Sequence, residues 1–193
     1  MVRSCPFVVL APLLLACGGG TPTVVSPPAP ARPAVSTLAP SSPDDEPPAG
    51  HITRAVVERL PKWVVARESA DPDAVAAKAL LDVPPGATVR VFLGTWCGDS
   101  RREVSRFWKA LDLAGGPVAF TMEYIAVDRA KSAPDGLTNG IGLRYVPTFI
   151  VVRGGKEVGR IIESSPGGIE KDLRALLRGE RAGVISARTD VGA

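Results

Sequence analysis

Cys97 is the residue of this chain best placed to do chemistry. It lies in Trp96-Cys97-Gly98-Asp99-Ser100, between the apolar run Thr88-Val89-Arg90-Val91-Phe92-Leu93 and a periodic stretch that begins at Val104. A cysteine at the first turn of a helix faces unpaired backbone N–H groups and the positive end of the helix dipole, and both favour the thiolate. The thiolate is the form that attacks a disulfide sulfur or binds a metal. Arg101 and Arg102 add to that tendency and Asp99 opposes it. The alternative for a lone cysteine is a buried, inert small hydrophobe. The polar, turn-forming Gly98-Asp99-Ser100 argues instead for a position near the surface, at the rim of a sheet.

The elements that hold this turn follow from periodicity. Ile52, Val56, Leu60, Trp63 and Val64 give a helical signal broken at Pro61. Asp71-Pro72 reads as an N-cap with proline at the first helical position, opening a helix that runs to Leu81. Val83-Pro84-Pro85-Gly86 stops it, and Thr88 to Leu93 reads as a strand. After the cysteine turn, Val104, Phe107, Trp108 and Leu111 form one buried helical stripe, ended by Gly115-Gly116-Pro117. Val118 to Asp128 is a second strand, and residues 129–145 are loop with one helical turn. Thr148 to Arg153 and Val158 to Glu163 form a hairpin around Gly154-Gly155-Lys156. Gly168 to Arg178 is a final helix with Ile169, Leu173, Leu176 and Leu177 inward, and the tail from Glu180 is expected to be loosely ordered. The order implies a mixed sheet with helices on both faces.

The turn Trp96-Cys97-Gly98-Asp99-Ser100, the strand opening Val146-Pro147-Thr148 and the Gly-Gly hairpin, in this element order, resemble the thioredoxin family over roughly residues 85–178. The resemblance implies a thioredoxin-like three-layer α/β fold with a mixed central sheet, here preceded by N-terminal helices. It makes Cys97 the catalytic nucleophile, with Ser100 where the family places a resolving cysteine. The Ser100 hydroxyl either donates to the sulfur or caps the helix, but it cannot close a disulfide. The family's buried aspartate and the lysine near it are replaced by Val91 and Tyr124. Without a resolving thiol a buried carboxylate has no proton to move, and burying one is costly. Pro147 matches the family's cis-proline. Trp96, Val146, Pro147 and Thr148 become the substrate-binding residues, with Val146 offering its backbone to an extended client strand. Trp63 and Trp108 read as core.

The front of the chain reads as an address. Met1 to Ala16 has one basic residue, an apolar run from Phe7 to Leu15 and a small residue at its end, which is the order of a secretory signal and too short for a permanent membrane span. Leu14-Leu15-Ala16-Cys17 resembles a bacterial lipobox, which implies lipidation of Cys17; the alternative is ordinary cleavage nearby. Gly18 after it implies sorting to the outer membrane. The 33 residues from Gly18 to Gly50 hold nine prolines, four glycines, no aromatic residue and no lysine. Such a stretch buries too little apolar surface to offset its ordering entropy, so residues 17–50 read as a spacer before a domain at residues 51–180.

Composition removes other classes. The chain has 193 residues, a net charge of +3, three cysteines and one histidine, His51. A self-contained four-cysteine iron–sulfur site is impossible, a structural zinc site is disfavoured, and neither a metal nor a cofactor is expected. From residue 51 onward there are 21 Lys and Arg against 17 Asp and Glu, with no basic stripe to suggest nucleic acid. No phosphate-binding glycine loop, dinucleotide fingerprint or zinc-protease motif is present. The sequence therefore predicts an envelope protein, lipid-anchored on the periplasmic face, with the outer membrane favoured. The thioredoxin resemblance implies that a single nucleophilic cysteine, Cys97, exchanges with client protein thiols or disulfides, or with small thiols. The alternative is a redox-inactive module that uses the same groove for binding only.

Overall fold

The computed structural model describes residues 47 and 49–191. The signal segment, Cys17 and most of the proline-rich spacer lie outside them. In chain order the elements are β1 (Gly50–Ile52), α1 (Arg54–Val57), α2 (Pro61–Ser69), α3 (Ala74–Ala79), β2 (Ala87–Leu93), α4 (Gly98–Ala114) and β3 (Phe120–Ala126). A 3-10 turn at Pro134–Gly136 follows, then β4 (Thr148–Arg153), β5 (Lys156–Ile162), α5 (Ile169–Arg178) and β6 (Gly183–Ile185).

One six-stranded sheet has the order β1-β3-β2-β4-β5-β6. β2 runs parallel to β3 and antiparallel to β4, β5 is antiparallel to β4, and β6 joins β5 in parallel. The β2-α4-β3 crossover, the β4-β5 hairpin and the closing α5 make the central part a thioredoxin-like α/β fold. Gly154 and Gly155 both take positive φ at the hairpin (57° and 75°), the two-residue turn whose twist matches that of the strands.

Alternation along β2 divides the core. Ala87, Val89, Val91 and Leu93 face the helices together with Val104, Phe107 and Trp108 of α4 and Ile169, Leu173, Leu176 and Leu177 of α5. Trp63 of α2 and Ala77 and Leu80 join the same cluster. Phe92 faces the other way with Ile125, Val127, Val146 and Ile150. Among the described residues, the α-helices that pack on the sheet gather on the first face. The expectation of helices on both faces is corrected here: the third layer is the segment 129–145, which contributes Ala133, Leu137, Ile141 and Leu143 from loop and one 3-10 turn.

The N-terminal helices are bound to α4 by polar contacts as well as packing. Asp112 accepts from Arg54 at 2.7 Å and from Arg67, and the Arg54 guanidinium lies 5.6 Å from the Trp108 ring centroid. Glu170, fully buried on α5, is held by a fork of two bonds from Arg106 (2.7 and 3.1 Å) and accepts the Asp73 N–H at 2.8 Å. That cluster joins the start of α3, the middle of α4 and the start of α5.

Three local expectations are corrected. Ile52, read as the start of a helical stripe, belongs to a strand, β1, which pairs with β3. The cap of α3 is Asp73, not Asp71: its carboxylate accepts from the Val75 and Ala76 N–H groups. Those bonds and Lys171 hold the Asp73 carboxyl at about 2, with the Lys171 hydrogen bond the largest cause. The tail from Glu180 carries a strand: β6 pairs with β5 and buries Ile185. Among the described residues no helix is long and apolar enough to cross a membrane.

Candidate functional site

The site is built where β2 hands the chain to α4. β2 ends at Leu93, whose carbonyl accepts the Val127 N–H at 2.9 Å, and the chain then folds back so that Cys97 N–H reaches Gly94 O at 2.9 Å. Gly94 is required here by close approach: a Cβ would lie 2.7 Å from the Trp96 ring. That ring is fixed by its indole N–H, which donates to Val127 O at 3.1 Å, and by the Arg129 guanidinium 5.0 Å from its centroid. On the helical side, the Trp63 indole donates to Thr95 O at 3.1 Å, so α2 stands directly beside the turn.

Cys97 occupies the N-cap of α4 in extended conformation (φ −85°, ψ 129°), half-buried and free of any disulfide. Its thiol donates to Val146 O at 3.3 Å. The Val146–Pro147 peptide is cis. The loop that carries it is fixed by Thr148 Oγ1 donating to Tyr145 O at 2.7 Å and by Glu163 N–H donating to Pro147 O at 2.8 Å. The turn of α4 and the 145–148 loop, 49 residues apart at their point of contact, therefore meet through the cysteine sulfur. Cys97 and Trp96 also pack against the apolar cluster of the second sheet face.

Of the residues singled out from sequence, Cys97, Trp96, Val146, Pro147 and Thr148 come together here. Ser100 is fully buried beneath the turn, and its Oγ accepts the Gly94 N–H at 3.1 Å, so it holds the turn's entry to its exit. Arg102 is engaged by Asp99 (2.7 Å) and Glu103 (3.0 Å), while Arg101 lines the cleft beside Pro61, Lys62 and Val65 of α2.

Val91 is fully buried in the first core, as an apolar residue at that position should be. Tyr124 is also put to structural use: its hydroxyl accepts the Trp108 indole N–H at 2.9 Å, and burial pushes the phenol up to about 12. Sequence reasoning missed Gly94, Thr95 and Val127, whose part is played by backbone atoms, and Tyr145 with its partners Arg188 and Asp190. Only Gly94, beside the tryptophan, left a readable sign.

No protein family matches the chain, and no curated protein does. Solved structures do align with it. A crystal structure of a protein of unknown function from Pseudomonas aeruginosa matches at 18% identity over 64% of this chain and 74% of that one, with a TM-score of 0.42. An HIV epitope scaffold matches at 20% identity over 68% and 85%, with a TM-score of 0.45. Mitochondrial thioredoxin 3 from Saccharomyces cerevisiae, in its oxidized form, matches at 20% identity over 56% and 96%, with a TM-score of 0.32.

Proposed function

We propose that this protein carries out thiol–disulfide exchange through Cys97, and that it does so in the cell envelope, tethered by a lipid on Cys17. The observation that supports the chemistry best is the placement of the Cys97 thiol: at the N-terminus of a long helix, half-exposed, in contact with the carbonyl before a cis-proline.

Cys97 gives its proton to solvent, and the thiolate attacks one sulfur of a client disulfide. The client S–S bond breaks, a Cys97–client disulfide forms, and the second client sulfur leaves as a thiolate. With Ser100 in place of a second cysteine, an external thiol must attack the mixed disulfide to release the client and restore Cys97. Loss of the thiol proton also removes the donor from Val146 O, which is then available to a backbone N–H of an extended client strand. Chemistry of this kind suits isomerisation, client capture or exchange with a small thiol better than repeated reduction. An oxidising compartment is where such exchange matters.

A redox-inactive binding module is the second reading. It is favoured by the thiol's use as a hydrogen-bond donor within the fold and by the buried, otherwise engaged Ser100. One experiment separates the two: acid-quenched, alkylated cell envelopes analysed for adducts of the full-length wild type and Cys97→Ser. Exchange chemistry predicts disulfide-linked clients or small-thiol adducts on Cys97 that vanish in the variant. Co-purification of the same partners with both proteins, and no adduct on either, would establish the binding-only reading.

A further inference from the structure

We infer that the segment after β6 is a strap that holds the cis-proline loop against Cys97, with Arg188 and Asp190 as positioning residues for the exchange proposed above. The inference rests on that reading for its functional meaning but not for its geometry.

Asp190 Oδ2 accepts the Tyr145 hydroxyl at 2.7 Å, one residue before Val146. The same carboxylate takes a two-point fork from Arg188, Nε to Oδ1 at 2.7 Å and Nη2 to Oδ2 at 2.8 Å. The third nitrogen of the guanidinium, Nη1, donates to Glu163 Oε2 at 2.7 Å, and its carbon lies 4.1 Å from the Tyr145 ring centroid. Glu163 closes the circuit, since its backbone N–H donates to Pro147 O. The strap itself is pinned by Ala187 N–H to Ser164 O (3.0 Å) and by Ser186 Oγ to Ile162 O (2.8 Å). Residues on both flanks of Val146 are therefore gripped from the C-terminal side, and Cys97 meets the Val146 carbonyl between them.

The chemistry of the grip is specific. A planar guanidinium alone satisfies a fork, a third carboxylate bond and a ring stack at once, which lysine cannot do. The Arg188 and Asp190 side chains are 33% and 47% exposed, so solvent screens the pair and its share of global stability is small. What it restricts is the freedom of a short loop, which is a local effect.

The test uses the full chain with Arg188→Ala, Arg188→Lys and Tyr145→Phe, read by the iodoacetamide alkylation rate of Cys97, mixed-disulfide formation with a cystine-containing peptide, and melting temperature. We expect Arg188→Ala to raise the alkylation rate about two- to fivefold, the population change a surface pair of this kind controls, while the melting temperature falls by only a few degrees. Peptide exchange should slow in the same variant, and Arg188→Lys should lie between it and wild type. Wild-type alkylation rates in both Arg188→Ala and Tyr145→Phe would overturn the strap. So would a collapse of melting temperature in Arg188→Ala accompanied by unchanged alkylation in the milder Tyr145→Phe. If the wild type forms no mixed disulfide at all, the exchange reading fails, and the alkylation arm still decides the strap.

Discussion

Ser100 carries a quantitative consequence. Its hydroxyl is fully buried and is the acceptor for the Gly94 N–H at 3.1 Å, in a turn where Gly94 itself is buried. Ser100→Ala removes that acceptor and admits no water in its place, so a buried backbone donor is left without a partner, at a cost of about 1–3 kcal/mol. For a domain of this size that corresponds to a fall of roughly 3–10 °C in melting temperature. Urea denaturation followed by tryptophan fluorescence measures the first quantity and a thermal melt the second. Because the same bond ties the start of α4 to the end of β2, Cys97 alkylation should also accelerate. A loss below about 0.5 kcal/mol, the scatter of ordinary surface substitutions, would refute the reasoning and leave Ser100 without a role in the turn. Ser100→Cys keeps a weaker acceptor and adds a second thiol one helical turn from Cys97. We expect it to be less costly than alanine and to raise dithiothreitol-coupled insulin reduction above the wild-type level.

Two further outcomes follow from the packing. Burial raises the Tyr124 phenol to about 12 from its ordinary 10.0, so the folded state favours the protonated form; this stability is fully present below about pH 10 and declines as pH rises toward about 12, by at most about 2–3 kcal/mol. Urea midpoints on either side of that window should converge for wild type and Tyr124→Phe at the alkaline end; an unchanged difference between them would contradict it. Gly94→Ala should displace the Trp96 ring, whose nearest atom would lie 2.7 Å from the new Cβ. The expected cost is about 1–3 kcal/mol together with a shift in Trp96 emission, and a variant of native stability and spectrum would show that the turn has slack.

What was legible in the sequence is the set of elements whose patterns are long. The stripe of α4, the apolar run of β2 and the glycine turn of the β4–β5 hairpin are each specified by their own residues. The short elements were not. β1 and β6 span three residues each, with Ile52 and Ile185 as their core-directed apolar residues; they exist because β3 and β5 offer them unpaired edges. Asp71-Pro72 is the local pattern for the cap of α3, yet Asp73 takes that place, with its own N–H donating to Glu170, 97 residues away. The thin third layer was hidden for a similar reason: residues 129–145 carry scattered apolar side chains without a period, and only the sheet face beneath selects among them.

The candidate site divides the same way. Cys97 is marked by its residue type and position, and Trp96 and the Val146-Pro147-Thr148 opening by their resemblance to the thioredoxin family. The atom to which the sulfur donates and the arginine that grips Tyr145 are distant in sequence, and the group that uses Ser100 is the backbone N–H of Gly94; no side-chain pattern marks them. The turn's backbone acceptors, Thr95 O and Val127 O, are invisible to any reading of side chains.

The most direct measurement is the mass of the intact full-length chain after incubation with a cystine-containing peptide, followed by acid quench and peptide mapping. Exchange through Cys97 predicts a single peptide adduct located on Cys97, released on addition of a small thiol and absent from Cys97→Ser. A chain that keeps its unmodified mass while Cys97 remains open to iodoacetamide would contradict exchange, since the sulfur would then be accessible yet inert toward a disulfide.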